Sequence, residues 1–291
     1  MAKFDMESIV ADIRKNIKDD QLVSKIGAVS DLHELTDSDF IVLGDWWQKS
    51  THTRGIAFNR LTVFAGNSDS GKTSAAIQSI KAAIEQDCGI LYAETEMKTT
   101  EKDFTDFGVD PSKIILISSN IAEELYELVF QAWDSFRELY PDVPLLVVID
   151  SIGNLISLRD KDMDMLEDNQ KPGGGGKANR LGLSKLMAKM SSDNSKTAVI
   201  LVSYTYENIG SQGSTTAGGK ALHLFSSLMY QTSRKGWLYK TVKGEKVKIG
   251  AEVVFTLQKN HINKADPGDP KITFKITKDG FDYVGKKEDG D

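Results

Sequence analysis

The segment "LTVFAGNSDSGKTSAAIQSI", residues 61–80, joins two kinds of local pattern. Residues 61–65 form a continuous apolar run, which is typical of a strand buried on both faces. Residues 71–86 predict a helix. Between them lies the pattern Gly-x-x-x-x-Gly-Lys-Thr, from Gly66 to Thr73. Glycines let the backbone approach an anion closely, and the amides of a helix N-terminus point toward it. The segment therefore predicts a phosphate-binding loop between a strand and a helix.

Such a loop predicts a nucleoside triphosphate bound together with a metal ion. Lys72 is expected to neutralise β- and γ-phosphate charge, and the Thr73 hydroxyl is expected to ligate Mg²⁺. Asp150 closes the apolar strand "PLLVVID" and is either a second acid for the metal or a turn residue that only ends the strand. We therefore expect ATP and Mg²⁺ as cofactors. The predicted nucleotide-binding residues of the loop are Gly66, Asn67, Ser68, Asp69, Ser70, Gly71, Lys72, Thr73 and Ser74.

Two acidic residues follow the next apolar strand, "GILYAE". Glu94 and Glu96 are two positions apart, which puts both side chains on one face of an extended chain. A carboxylate beside the γ-phosphate can orient and deprotonate a water molecule, which favours hydrolysis over transfer to a bound acceptor. The alternative for either residue is a solvated surface acid.

Helices and apolar strands alternate along the middle of the chain, which predicts an α/β fold. Strands are predicted at 61–65, 89–94, 113–118, 144–150 and 197–203, with helices at 71–86, 99–107, 121–139 and 179–191. This alternation favours a central, mostly parallel sheet flanked by helices. From residue 226 only strands are predicted, at 227–233, 250–260, 271–277 and 281–284, so the sheet should end in antiparallel strands. Residues 19–60 have no regular pattern beyond short apolar pieces such as "FIVLGDWW".

Composition and charge exclude several classes of protein. The net charge of −6 argues against a general basic coat for nucleic acid, but it leaves room for a local basic groove. No apolar run approaches the 18 residues that a membrane span requires, so no membrane partner is expected. The first 20 residues lack the apolar core of a signal peptide. The single cysteine, Cys88, fits a reducing compartment, and we expect a cytoplasmic protein.

Several motifs in this order resemble the RecA-type strand-exchange recombinases, and the phage UvsX-type branch most of all. They are the phosphate loop, an acid after the next strand, "FGVDPSKII" at 107–115, "IDSIGNL" at 149–155, and "TYE" at 205–207 followed by "TTAGGKAL" at 215–222. The resemblance covers residues 35–284 and implies a RecA-like P-loop ATPase core. It further implies three regions: 1–45, an N-terminal helix and linker; 46–285, the ATPase and DNA-binding core; and 286–291, a short charged tail. Residues 6–18 predict an amphipathic helix, which either docks on a neighbouring subunit, as the resemblance implies, or packs on its own core. If the protein is phage-encoded, its compartment is the host cytoplasm.

The resemblance also assigns roles around the nucleotide. Glu96 stands twelve residues before Gly108, the family spacing for the glutamate that activates water, which favours it over Glu94. Lys259 and His261 stand where paired basic residues reach the ATP of a neighbouring subunit, although a histidine is uncharged near neutral pH. Tyr204 replaces the Gln or His that senses the γ-phosphate. The adenine-stacking position holds Asp103, so Phe104 beside it is the expected substitute.

Two loops are implied to bind DNA, at about 157–178 and 204–219. The second is rich in Gly, Ser and Thr, as long functional or disordered loops are. Acids are interspersed among the basic residues of the first loop, so a solvated charged face is the alternative there, and "GGGG" is alternatively a passive linker. The expected DNA-binding residues are Arg159, Lys161, Lys177, Arg180, Lys185, Tyr206, Gly218, Gly219 and Lys220.

The resemblance therefore implies a DNA-dependent ATPase that forms helical filaments on single-stranded DNA and exchanges strands with a homologous duplex. Single-strand-binding and loader proteins are expected partners. One alternative is another RecA-fold motor, a helicase or packaging ATPase. A second alternative is an ATP-switched DNA-binding assembly protein with weak hydrolysis, because Tyr204 and His261 depart from the residues usual at those positions.

Overall fold

A computed structural model describes residues 5–23, 26, 34–163, 174–193, 195–207, 214–264, 266 and 270–284. The chain divides into two compact units, residues 1–39 and 40–291. The first unit contains helices α1 Met6–Asn16 and α2 Asp20–Val23. Asp5 caps α1 by accepting a hydrogen bond from the Glu7 amide, and the apolar side chains of Met6, Ile9 and Ile13 are exposed. The predicted domain boundary after residue 45 stays a prediction.

The second unit is built around one large sheet. Its helices are α3 Asp45–Thr51, α4 Lys72–Glu85, α5 Glu101–Thr105, α6 Ala122–Leu139, α7 Leu158–Lys161, α8 Gly174–Ser192 and α9 Gly219–Phe225. Its strands are β1 Phe40–Val42, β2 Gly55–Ala57, β3 Leu61–Gly66, β4 Gly89–Glu94, β5 Ile115–Ser118, β6 Leu145–Asp150, β7 Thr197–Glu207, β8 Ser214–Thr216, β9 Leu228–Val242, β10 Glu245–Asn260, β11 Lys271–Thr277 and β12 Gly280–Val284. No helix within the described ranges is long and apolar enough to cross a membrane.

The strand order confirms the predicted α/β architecture. Strands lie in the order β12-β11-β10-β9-β3-β7-β6-β4-β5, and β8 pairs with the end of β7. From β9 to β5 every neighbouring pair is parallel, whereas β9 to β12 form an antiparallel meander. The sheet is therefore mostly parallel and ends in antiparallel strands.

Strand alternation sends successive side chains into two apolar layers. In β3, Leu61 and Val63 face the layer made with α6 and α8, whereas Phe64 faces the layer made with α4. All three are fully buried. Because both faces are covered, the strands read as continuous apolar runs, which is why the sequence revealed them.

Two differences from the predicted elements concern strands of the second unit. Residues 40–57, predicted to be irregular, form the pair β1–β2 around α3, and Trp47 of α3 fills the core with 1% exposure. The predicted strands at 227–233 and 250–260 are the inner halves of a longer hairpin, β9–β10, which turns at Lys243 and Gly244 with φ of 51° and 86°. The outer half is mostly exposed and rich in lysine, and its Val247 and Ile249 continue the alternation of β10 in a segment that the predicted strands did not include.

Candidate functional site

The predicted site residues meet where parallel strands end. Gly66 of β3 lies in register with Tyr204 of β7, and Glu94 of β4 lies in register with Asp150 of β6. Since parallel strands present their carboxyl ends at one edge, these four positions share that edge. A cleft of about 700 Å³ opens there, lined by the phosphate loop and by residues from β4, β6, β7, β10 and β11.

The phosphate loop has the glycine geometry that its motif requires. A Cβ on Gly66 would lie 2.2 Å from the Thr232 carbonyl oxygen, so no larger residue fits. Gly71 has a φ of 88° and stands immediately before α4, whose amides face the cleft end of the loop. Ser70 braces the turn through hydrogen bonds of 2.7 Å to the Asn67 carbonyl and 2.6 Å to the Thr232 hydroxyl. The loop is thus shaped to hold an anion.

Lys72 is a buried cation at the start of α4. Its side chain donates a 2.6 Å hydrogen bond to the Asn67 carbonyl and lies 4.5 Å from the centre of the Tyr204 ring. Burial lowers the pKa of Lys72 to about 8, although Asp150, Glu96 and Asp69 partly restore it. Lys72 forms no ion pair with a carboxylate of the described residues, so a phosphate in the loop would supply its anionic partner and the site fits such a group.

Thr73 and Asp150 provide a pair of oxygens beside the loop. The Thr73 hydroxyl lies near the Asp150 carboxylate, which accepts a 3.2 Å hydrogen bond from the Tyr92 hydroxyl. Burial raises the pKa of Asp150 to about 6, against the effect of these two hydroxyls. A hydroxyl and a carboxylate are ligands that Mg²⁺ accepts, so the donor set fits this cation.

The two candidate glutamates have different surroundings. Glu94 is 5% exposed, and its carboxylate accepts hydrogen bonds from the amides of Glu96, Met97 and Lys98 at 3.0, 2.7 and 3.0 Å. Glu94 therefore holds the turn after β4 in shape. That turn projects Glu96 toward the cleft.

The Glu96 carboxylate accepts four side-chain hydrogen bonds. Oε1 accepts from Ser151 at 2.7 Å and from Asn154 at 3.1 Å. Oε2 accepts from Lys98 at 2.7 Å and from the Tyr204 hydroxyl at 2.9 Å. Burial raises the pKa of Glu96, but the hydrogen bonds from Lys98, Ser151 and Tyr204 outweigh it, so this pKa lies below its usual value.

Phe104 does not reach the cleft, which corrects the expected adenine-stacking substitute. Its ring is 7% exposed and packs edge-on against Tyr92 at 5.2 Å between centroids, inside the core layer of α4. Helix α5 turns Phe104 inward, while Asp103 lines the cleft and also caps α5 by accepting bonds from the amide and hydroxyl of Thr100. Successive side chains on a helix point about 100° apart, so Phe104 cannot take the place of Asp103 at the cleft.

Other cleft residues were missed by sequence analysis. Trp237 and Lys248 line the cleft from the meander strands, Lys278 lines it from the turn between β11 and β12, and Lys98 lines it from the turn after β4. The Lys248 ammonium lies 3.1 Å from the Trp237 ring centre, and the Arg234 guanidinium lies 4.1 Å from it. For Lys98 the sequence held a signal, because this lysine stands two positions beyond Glu96. For Trp237 it held none, because the position of this residue depends on the register of the β9–β10 hairpin.

Lys259 and His261 lie at the end of β10. Lys259 donates to the carbonyls of His223 and Leu224 in the last turn of α9, at 2.7 and 3.3 Å. Desolvation, together with the charges of Lys259 and Lys264, lowers the pKa of the exposed His261. Among the described residues that line the cleft of this chain, neither is present.

The expected DNA-binding residues lie on segments that leave the same sheet edge. Lys161 of α7 pairs with Glu124 at 3.5 Å. Arg159 of α7 and Lys177, Arg180 and Lys185 of α8 are exposed. Gly218, with a φ of 85°, precedes α9. Helix α8 begins at Gly174, so part of "GGGG" is helical. Residues 164–173 and 208–213, and the side chains of Tyr206, Gly219 and Lys220, lie outside the described part of the chain.

The sheet order and the phosphate loop at its edge define an α/β P-loop nucleotide-binding protein. The RecA N-terminal domain family matches residues 39–270, and the chain belongs to that family. This confirms the predicted RecA-like core. The resemblance to the UvsX-type branch stays a prediction.

Several relatives that are less than 30% identical to this chain are named Protein RecA. The chain is 27% identical to Protein RecA of Malacoplasma penetrans over 211 residues, which is 72% of this chain and 60% of that protein. It is 28% identical to Protein RecA of Fusobacterium nucleatum over 211 residues, covering 72% of this chain and 52% of that protein. Protein RecA of Aquifex aeolicus is 28% identical over 207 residues, or 69% of this chain and 56% of its own length. The chain thus spans little more than half the length of these relatives.

Proposed function

We propose that this protein is a Mg²⁺-dependent ATPase that assembles as a helical filament on single-stranded DNA and pairs that strand with a homologous duplex. The observation that carries the proposal is that the phosphate loop, Asp150 and Glu96 meet at one cleft. Strands β6 and β7 form the floor of this cleft and continue into the two segments expected to bind DNA. Family membership supports the same function.

In this proposal each cleft residue has one task. Lys72 and the loop amides bind the β- and γ-phosphates, while Thr73 and Asp150 hold the metal. Bound Mg²⁺ supplies charge neutralisation at the phosphate oxygens. Glu96 orients a water molecule and accepts its proton. Tyr204, which contacts both Lys72 and Glu96, links the phosphate end of the cleft to the second DNA segment.

Assembly into a filament would complete the site. Lys259 and His261 would reach the ATP of a neighbouring subunit and stabilise charge in the transition state. The exposed apolar side chains of Met6, Ile9 and Ile13 on α1 support a role for this helix in joining subunits. DNA contacts would be mainly to the backbone, so binding should tolerate any sequence and weaken with salt.

One observation favours a second candidate, an ATP-switched DNA-binding assembly with weak hydrolysis. The Glu96 carboxylate already accepts four hydrogen bonds. These donors compete with a water molecule for the positions at which Glu96 would accept a proton. This candidate predicts nucleotide-dependent DNA binding with negligible turnover.

Electron microscopy tests the assembly directly. The full chain would be mixed with single-stranded DNA, Mg²⁺ and a non-hydrolysable ATP analogue, alongside Lys72→Ala and the exposed-lysine control Lys49→Ala. Helical filaments in the wild type and in Lys49→Ala, and their loss in Lys72→Ala, are expected. Closed rings would indicate another RecA-fold motor, and absence of assembly would contradict the proposal.

A further inference from the structure

We propose that Lys98 and Tyr204 act as positioning residues that jointly restrain Glu96, so that the release of Glu96 Oε2 by either donor sets the rate of hydrolysis without DNA. This inference rests on the proposed function of the cleft, because Glu96 has to be the base whose availability is controlled. It assigns a role to Lys98, and it makes Tyr204 a restraint on Glu96 in the resting site.

The restraint follows from the capacity of a carboxylate. An ionised carboxylate offers about four acceptor positions, two on each oxygen. Ser151 and Asn154 occupy Oε1, and Lys98 and Tyr204 occupy Oε2, all at 2.7–3.1 Å. With these four described donors in place, the Glu96 carboxylate has no free position at which to accept the proton of a water molecule. At least one donor must leave before Glu96 can act.

On the Oε1 side, Ser151 is held by the fold, whereas Asn154 is exposed and makes the longest of the four bonds, at 3.1 Å. Ser151 is fully buried, and its backbone is tied to Thr95 by two hydrogen bonds: the Thr95 hydroxyl donates to the Ser151 carbonyl at 2.7 Å, and the Ser151 amide donates back at 3.0 Å. Thr95 in turn follows β4, so this contact joins the ends of two neighbouring strands. The Ser151 backbone is therefore held in place, which keeps its hydroxyl beside Oε1.

The Oε2 side is held by groups that can change partners. The Lys98 side chain is 73% exposed, and solvent competes for an ammonium in that position. Lys98 lines the same cleft as the phosphate loop, so a bound triphosphate offers it a more highly charged partner than Glu96.

Tyr204 can respond both to bound nucleotide and to bound DNA. The Lys72 ammonium lies 4.5 Å from the centre of its ring, and movement of Lys72 toward a phosphate removes that contact. Tyr204 also lies three residues before the end of β7, ahead of the segment expected to bind DNA. The geometry therefore makes Glu96 Oε2 the point where nucleotide and DNA act together.

Two substitutions remove one donor each while retaining the shape of the side chain. Tyr204→Phe deletes the hydroxyl but keeps the ring over Lys72, and Lys98→Met deletes the ammonium of a largely exposed residue. Matched controls away from the cleft are Tyr140→Phe, whose ring is 53% exposed, and Lys49→Met, whose side chain is 55% exposed. Steady-state ATP hydrolysis would be measured without and with single-stranded DNA, and folding checked by thermal melting.

We expect each cleft variant to raise kcat without DNA by about three- to tenfold, the effect of one lost hydrogen bond. KM for ATP should change less than twofold in Tyr204→Phe, and the stimulation by DNA should shrink by the same factor as kcat rises. Adding Glu96→Gln to either variant should abolish the gain. The two control variants should match the wild type.

The possible failures are distinct. If the wild type shows DNA-stimulated turnover that depends on Glu96 but either variant leaves kcat unchanged or lowers it, the joint restraint is overturned and the proposed function stands. If both variants raise a Glu96-dependent kcat but DNA has no effect on any form, the restraint stands and the DNA assignment fails. Because Lys98 is exposed, Lys98→Met should fold normally. It therefore tests the restraint on Glu96 even if Tyr204→Phe does not fold.

Discussion

The Tyr204 hydroxyl donates a 2.9 Å hydrogen bond to Oε2 of Glu96, although the two residues are 108 positions apart. The contact joins the turn after β4 to the end of β7, two strands that are separated in the sheet by β6. It also places an aromatic ring between the candidate base and Lys72, whose ammonium lies over that ring. The cleft is therefore one connected network.

Glu94 is predicted to stabilise the fold of the turn that carries Glu96. Glu94→Ala removes the acceptor of three backbone amides and should lower the free energy of unfolding by about 2 kcal/mol or more. Hydrolysis should fall as well, because Glu96 loses its support. Urea unfolding measures the first effect. The exposed acid Glu245, at the hairpin turn, provides the control: Glu245→Ala should change stability by less than about 0.5 kcal/mol. Unchanged stability in Glu94→Ala would refute this role.

Gly66 is predicted to admit no side chain. In Gly66→Ala the new Cβ would lie 2.2 Å from the Thr232 carbonyl oxygen and 2.9 Å from Ser70 Oγ, so the phosphate loop must shift. We expect ATP binding, measured by titration calorimetry, to weaken at least tenfold. Gly236→Ala is the matched control, since no described atom beyond its chain neighbours lies within 4 Å of the added Cβ. Equal affinity in the two variants would contradict the geometry.

Trp237 is predicted to report nucleotide binding. It lines the cleft, whereas Trp47 and Trp133 are 1% exposed in the core. Adding ADP or ATP should change the intrinsic tryptophan fluorescence of the wild type, because the ligand alters the surroundings of the Trp237 indole. Trp237→Phe should abolish this change, while Trp133→Phe, on the other face of the sheet, should retain it. A full signal in Trp237→Phe would place the nucleotide elsewhere.

His261 is predicted to limit DNA-stimulated hydrolysis at neutral pH. Its pKa is lowered by desolvation and by neighbouring cations, so the ring is neutral above that lowered value and gains charge only as the pH falls through it. His261→Arg supplies a permanent charge and should raise kcat several-fold at pH 8. The difference between variant and wild type should narrow toward acidic pH. A ratio that stays constant from pH 8 to well below the usual histidine pKa of about 6.5 would count against the role of charge here.

The sequence predicted the fold and part of the site because both depend on local patterns. Buried parallel strands produce apolar runs, and the phosphate loop has a fixed spacing, so β3, β4, β6 and β7 and the residues at their ends could be located. Phe104 was misassigned because its direction depends on how α5 packs against Tyr92. Trp237 was missed because it lies in the lysine-rich outer half of the β9–β10 hairpin, which the predicted strands did not include. The sequence places Lys98 two positions beyond Glu96, but only the structure shows the 2.7 Å contact between their side chains.

ATP hydrolysis with and without single-stranded DNA, for the wild type and for Glu96→Gln, tests the central claim most directly. The proposed function predicts turnover that DNA stimulates and that Glu96→Gln abolishes while ATP binding persists. Turnover that is indifferent to DNA, or a Glu96→Gln variant that hydrolyses ATP at the wild-type rate, would contradict it.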